Sequence, residues 1–267
     1  MMQLNKTPFY IGTSGYNYKD WQDIIYPPNL NTNSYLSYYV NKFNLNFLEL
    51  SFTFYKMPFI KTSKQIVEHV DKNFKFSIKL HKSVLQGNLK DSNIDEFKTG
   101  IYPFIKQNKI ASFLADFPYE FKANVDNLKL LKDIKSKFTE FPLFSSLPHR
   151  SWYKERYINA LKENRIGMVI HIIPEFKVSN TPYLPVATND ECYFRLYSNP
   201  LFWRSSTNKE CTYSYNEDTL KQLLIDIKKL SYVTQNIYVV FCNVKNGTSL
   251  LNAINLKKLV EMELTYE

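Results

Sequence analysis

The chain has 267 residues, 44% of them hydrophobic and 16% aromatic, which is ample material for a core and excludes a disordered segment. Six glycines exclude collagen-like or linker character. The balance of 34 Lys+Arg against 25 Asp+Glu, a net +9, comes from scattered Lys with no dense basic tract, so a nucleic-acid tail is excluded while contact with a polyanion stays open.

Short apolar runs alternate with helical patterns along the chain. A strand at Phe9–Thr13 precedes a helix at Ser34–Phe43, and a strand at Asn46–Leu50 precedes a helix at Thr62–Val70. The next pair is Phe74–Leu80 and Ile94–Lys106, where Pro103 is expected to break or kink the helix. Ile110–Ala115 is followed by Val125–Phe138, and Phe141–Phe144 by Tyr153–Glu163. The sixth strand, Gly167–Ile170, has no helix after it. Residues 172–190 carry three prolines and no helical stripe, so a long loop replaces the sixth helix. Cys192–Leu196 then leads to a helix at Glu217–Leu230, whose Leu220, Leu223, Leu224 and Ile227 form one apolar stripe behind an Asn216 cap. Ile237–Phe241 and Ser249–Val260 complete the pattern.

Eight βα-like units predict a single α/β domain over residues 1–267, a (β/α)₈ TIM-barrel-like fold. A doubly wound sheet is the second choice, and it lacks the usual Gly-rich first turn. Cys192, Cys211 and Cys242 show no CxxC spacing, so neither a disulfide framework nor a zinc ribbon is implied. The N-terminus lacks a signal peptide's charged and apolar regions, and no run approaches the roughly 18 apolar residues of a membrane span. A soluble, cytoplasmic protein without a membrane partner is expected. The oligomeric state is left open.

In such barrels chemistry gathers where the strands end. The residues just past each predicted strand supply the candidates. Glu49 is read as a general acid or base, or alternatively as a carboxylate pairing with Lys79 or Arg195. Lys79 and Arg195 are read as a clamp for a phosphate or carboxylate, or alternatively as a buried ion-pair network with Glu49 and Asp116. These four form the expected catalytic set. Tyr16, Trp21, Thr53, Tyr55, His149, Trp152, Tyr197 and Asn243 form the expected substrate-binding set, with Phe54 and Trp203 as further rings for stacking. His81, His149 and His171 follow strands, but no ligand spacing joins them, so neither a metal nor a cofactor is expected. Ser14 lacks a nucleophile-elbow motif, and nothing near Cys242 in sequence marks it as reactive.

Several of these segments carry a resemblance. Ile11–Trp21 (IGTSGYNYKDW), then Tyr26-Pro27, then Glu49–Tyr55 (ELSFTFY) resemble the motifs of the YecE-like family, also called the domain-of-unknown-function 72 family. Phe74–Lys79, Ser151-Trp152, Tyr193–Leu196, Phe241–Asn243 and Asn252-Ala253 follow in the same order. The resemblance spans nearly the whole chain and implies a TIM-like barrel. This chain departs from the family at Ser146-Leu147-Pro148-His149, where Glu-Phe-Arg-His is usual. It also departs at Ser51, Asp116, His171 and Tyr197-Ser198. The expected activity is hydrolase-like action on a phosphorylated or nucleic-acid-derived substrate at the barrel mouth. Ligand or nucleic-acid binding without catalysis, and a sugar isomerase or glycosidase, are the alternatives.

Overall fold

The apolar runs become strands, and the computed structural model describes residues 2–86, 89–174, 181–198 and 213–266. A short β1 (Gln3–Leu4) folds back antiparallel on β2 (Thr7–Ser14), a hairpin that the sequence pattern did not predict. The chain then alternates through α1 (Tyr35–Phe43), β3 (Phe47–Leu50), α2 (Ile60–Glu68), β4 (Lys75–Lys79), α3 (Asp91–Lys106) and β5 (Ile110–Asp116). It continues with α4 (Val125–Lys137), β6 (Leu143–Ser146), α5 (Glu155–Glu163), β7 (Gly167–Met168) and β8 (Ile170–Ile172). The last elements are β9 (Glu191–Leu196), α6 (Glu217–Ser231), β10 (Asn236–Phe241) and α7 (Thr248–Tyr266).

The strand order is β7-β6-β5-β4-β3-β2-β10-β9-β8, and neighbours in it pair in parallel. β7 and β8 are two halves of one stretch. The first half pairs with β6 and the second with β9, so these nine segments fill eight positions around a barrel. At the break, the Val169 amide still donates to the Ser145 carbonyl at 3.0 Å. Each strand but the sixth leads to a helix. Residues 173–174 and 181–190, the described part of the sixth connection, contain none.

Local chemistry explains most boundaries. The Asn124 and Asn216 side chains accept from the amides of Asn127 (2.7 Å) and Thr219 (2.9 Å), which caps α4 and α6. Pro103 corrects one expectation: α3 runs unbroken from Asp91 to Lys106. The ring sits in the last turn and is buried beside Ile101 and Phe104, so packing offsets the single missing backbone bond.

Period-two alternation divides the strands between two cores. Outward residues such as Ile11, Leu48, Phe76, Ile78, Phe113, Phe194 and Val239 meet the helices. Inward, Tyr10, Phe47, Leu114, Phe144, Val169, Tyr193, Tyr238 and Val240 form a separate plug that fills the barrel. Burying each such side chain is worth about 1.5–3 kcal/mol. Gly12 lets β2 approach β3: a Cβ there would lie 2.0 Å from the Phe47 carbonyl oxygen. Further along the strands, towards their C-terminal ends, the inward positions turn polar.

Candidate functional site

These next inward positions are Ser14 on β2, Glu49 on β3, Lys79 on β4, Asp116 on β5, Ser146 on β6, His171 on β8 and Arg195 on β9. Cys242, just past β10, completes the layer. The strand period gives all eight the inward phase, and the register staggers them, with Ser14 beside Glu49, Lys79 beside Leu114 and Arg195 beside Val240.

Arg195 is the hub. Its Nη2 donates to Glu49 Oε1 at 3.1 Å and its Nη1 donates to Asp116 Oδ1 at 3.1 Å. Lys79 Nζ is 2.6 Å from the other Asp116 oxygen. Side-chain exposure is 0% at Glu49, 4% at Arg195, 9% at Lys79 and 16% at Asp116. Asp116 is therefore the member that faces outward most.

The Glu49 carboxylate is held on both oxygens. Ser14 Oγ donates to Oε1 at 2.7 Å, Ser51 Oγ lies 3.3 Å from the same oxygen, and Tyr193 donates to Oε2 at 2.9 Å. With Arg195 also on Oε1, these contacts make Glu49 an anchor that orients the guanidinium, the pairing that the sequence offered beside an acid–base role. Burial by itself would raise the Asp116 carboxyl. The charges of Arg195 and Lys79, with hydrogen bonds from Lys79 and Ser146, outweigh that and hold it well below the usual carboxylate range. It is a fixed anion.

The clamp expected of Lys79 and Arg195 exists, and the carboxylate it holds is the protein's own. Two cations meet two carboxylates, so the cluster is charge-matched and has no spare cation for a phosphate. The Lys79 ammonium also sits 5.0 Å over the Phe54 ring, and the Arg195 guanidinium 5.2 Å from the Tyr197 ring centre.

A second chain of polar groups reaches Asp116 through Ser146. Tyr153 OH and Ser146 Oγ are each 3.1 Å from His171, at Nδ1 and Nε2 respectively. Burial, then the neighbouring Arg195 charge, pushes the imidazole down from 6.5 to about 3 against the opposing pull of Asp116. A neutral ring with its proton on Nε2 satisfies both contacts, with Tyr153 donating to Nδ1 and Nε2–H donating to Ser146.

The expected substrate-binding set divides. Tyr16 and Tyr55 line a cleft of about 610 Å³ between the loops that follow β2 and β3, and Tyr55 is 67% exposed. Trp21 and Trp152 do not take part. Both are fully buried, Trp21 donating to the Val244 carbonyl at 2.6 Å and Trp152 to that of Phe121 at 2.8 Å. Their rings pack on Tyr18, Tyr26 and Phe121, so no face is open to a ligand. Thr53 is also buried: its hydroxyl sits 2.9 Å from the Leu50 carbonyl and 2.6 Å from that of Lys79, tying β3 to β4. Asn243 donates to Tyr213 O (2.7 Å) and Asn252 Oδ1 (2.9 Å) from a fully buried position. Both are structural ties rather than ligand contacts. His149 caps a short turn by accepting from the Ser151 amide at 3.1 Å and tilts against Tyr119. His81 does the same with Ser83 at 3.3 Å.

Among the described residues no group of three or more His, Cys, Asp or Glu is arranged to hold a metal ion. Burial pushes the Cys242 thiol up to about 12, so it is no ready nucleophile. Trp203 and Cys211 lie outside the described residues. No helix among the described residues is long and apolar enough to cross a membrane.

Sequence reasoning passed over Ser14 and Tyr193 as ligands of Glu49. The signal was available: both occupy the inward phase of their strands, Ser14 at the end of β2 and Tyr193 two positions before Arg195.

The fold and this layer can be set beside known proteins. The UPF0759 protein YunF of Bacillus subtilis is 23% identical over 273 residues, covering 95% of each chain. A DUF72 family protein of Thermotoga maritima superimposes with a TM-score of 0.86 at 28% identity, over 95% of this chain and 99% of that one. A DUF72 family protein of Enterococcus faecalis gives 0.81 at 22% identity, over 95% of both. Residues 10–266 match the family described as "Protein of unknown function DUF72", and the chain belongs to that family.

Proposed function

We propose that the protein is an enzyme of hydrolytic type that acts on a small hydroxyl-bearing ring substrate, with Asp116 as the carboxylate that meets it. The observation that carries this reading is the state of Asp116. It is the most exposed member of a buried charge network, and both its oxygens are aimed by cations, at 2.6 and 3.1 Å. Drawing four charged side chains from four strands into one cluster costs desolvation that a barrel does not need for folding. A carboxylate held ionised does not trade protons near neutral pH. It suits nucleophilic attack, or stabilisation of positive charge that develops on a ring carbon, as when a glycosidic bond breaks. Glu49 orients Arg195, and Arg195 with Lys79 fixes Asp116.

The expected phosphate clamp loses its support, because both cations already serve the protein's own carboxylates. The use of both Arg195 Nη groups and both Glu49 oxygens on protein partners favours a second reading, binding without turnover.

The test compares the wild type with Asp116→Asn on glycosides, nucleosides and phosphate esters, reading the release of free sugar, base or phosphate. Turnover of a neutral substrate that falls about 10²–10³-fold in the variant supports the proposal. Turnover of phosphate esters alone, or full activity in Asp116→Asn, removes it.

A further inference from the structure

The cleft between the β2–α1 and β3–α2 loops has a composition that stands out against the rest of the chain. None of the described residues lining it is Lys, Arg, Asp or Glu, in a protein with 34 Lys+Arg and 25 Asp+Glu. Its volume, about 610 Å³, falls in the range of small-molecule sites. Its lining joins aromatic rings, from Tyr16, Tyr18, Phe52 and Tyr55, to amides and hydroxyls such as Asn33, Gln65 and Ser51.

The aromatic part of the lining is held in place. Tyr18 OH donates to the Ser14 carbonyl, and Gly15, with φ +86°, supplies the turn beneath it. A Cβ at residue 15 would lie 2.6 Å from the Tyr18 hydroxyl, so a larger residue would displace that ring. Tyr55 stands edge-on to Phe54, with centroids 5.1 Å apart.

The cleft also connects to the charge network. Ser51 lines it, and the same hydroxyl lies 2.6 Å from Ser14 Oγ and 3.3 Å from Glu49 Oε1. Phe54, against which Tyr55 rests, carries the Lys79 ammonium over its face.

We infer that this cleft binds an uncharged, hydroxylated ring, a sugar or the sugar end of a nucleoside. Aromatic faces take the apolar face of such a ring, while amides and hydroxyls take its hydroxyls. A phosphate would meet no Lys or Arg among the described lining residues, and His69 is the one lining side chain there that can carry a positive charge, so the cleft favours unphosphorylated forms. The inference deepens the reading of Asp116 by naming the substrate class, and it rests on that reading only for turnover.

The test is binding to the full chain, followed by ligand-observed NMR and calorimetry. The probes are D-glucose, D-ribose, adenosine and uridine, each beside its monophosphate. The variants are Tyr55→Ala and Gln65→Trp. Gln65 is an exposed position on α2, so the indole blocks the cleft without touching the core. The expected result is saturable binding of a neutral probe, no tighter binding of its phosphate, and at least a roughly tenfold loss in Gln65→Trp. The sugar and nucleoside arms separate the two sources of the ring. Tighter binding of the monophosphate, unchanged binding in Gln65→Trp, or binding of no neutral probe overturns the inference. A neutral probe that binds in the cleft and is never turned over upholds the inference and removes the catalytic reading of Asp116.

Discussion

Replacing Arg195 with Met removes the cation between two carboxylates while keeping a long apolar stem. Glu49 is fully buried, so the variant leaves it with Ser14, Ser51 and Tyr193 as its only partners. Asp116 keeps Lys79 at 2.6 Å. Taking one partner from a buried pair costs about 3–5 kcal/mol, since the remaining charge must be protonated or hydrated in place. For a domain of this size, about 2–4 °C per kcal/mol puts the melting point roughly 6–20 °C lower. Adding Glu49→Gln to Arg195→Met removes the orphaned charge and recovers part of that loss, a coupling of about 0.5–3 kcal/mol. Urea unfolding followed by near-UV circular dichroism measures both. The sign with pH is also fixed. Asp116 is held below its ordinary value, so its contribution is full above about pH 4 and fades as pH falls through the lower folded value. In Arg195→Met the folded value moves back towards the ordinary one, so this acid loss is smaller and ends at a higher pH. A single variant within about 1 kcal/mol of wild type, with an additive double variant, would refute the claim that Arg195 is the hub.

Other outcomes follow from the same geometry. Trp152→Phe loses the bond to the Phe121 carbonyl and some ring volume, so stability falls by about 1–3 kcal/mol while ligand affinity is unchanged; loss of ligand with full stability would restore Trp152 to the binding set. His171 stays neutral, and its NMR ring shifts do not move between pH 5 and 8, because its value has dropped from 6.5 to about 3. Its stabilising contribution is full above about pH 6.5 and declines as pH falls towards 3, where only the unfolded chain takes the proton, and His171→Asn flattens that slope.

The barrel was legible because its signals are local. Each of the eight apolar runs became a strand position, and the proline-rich stretch after the sixth contains no helix among its described residues. Pro103 misled, since a proline in the last turn of a packed helix costs little. The four charged residues were found because each ends an apolar strand where a charge needs a partner. Their roles were not legible. Whether Lys79 and Arg195 face a ligand or each other's carboxylates depends on which strands curve together across the barrel, and no local pattern reports that. Trp21 and Trp152 were misplaced for a related reason: proximity to a strand end does not say whether an indole turns towards the mouth or into the layer beneath the loops. The cleft was half visible, through Tyr16 and Tyr55. Its missing charges are a property of two loops and a helix brought together, and so belong to the fold.

The most direct measurement is a pair of crystal structures, one with D-ribose and one with ribose 5-phosphate. The account predicts a ribose ring in the Tyr55–Gln65 cleft, with the Lys79–Asp116 and Arg195–Asp116 pairs intact. A phosphate seated between Lys79 and Arg195, with Asp116 displaced, would contradict it.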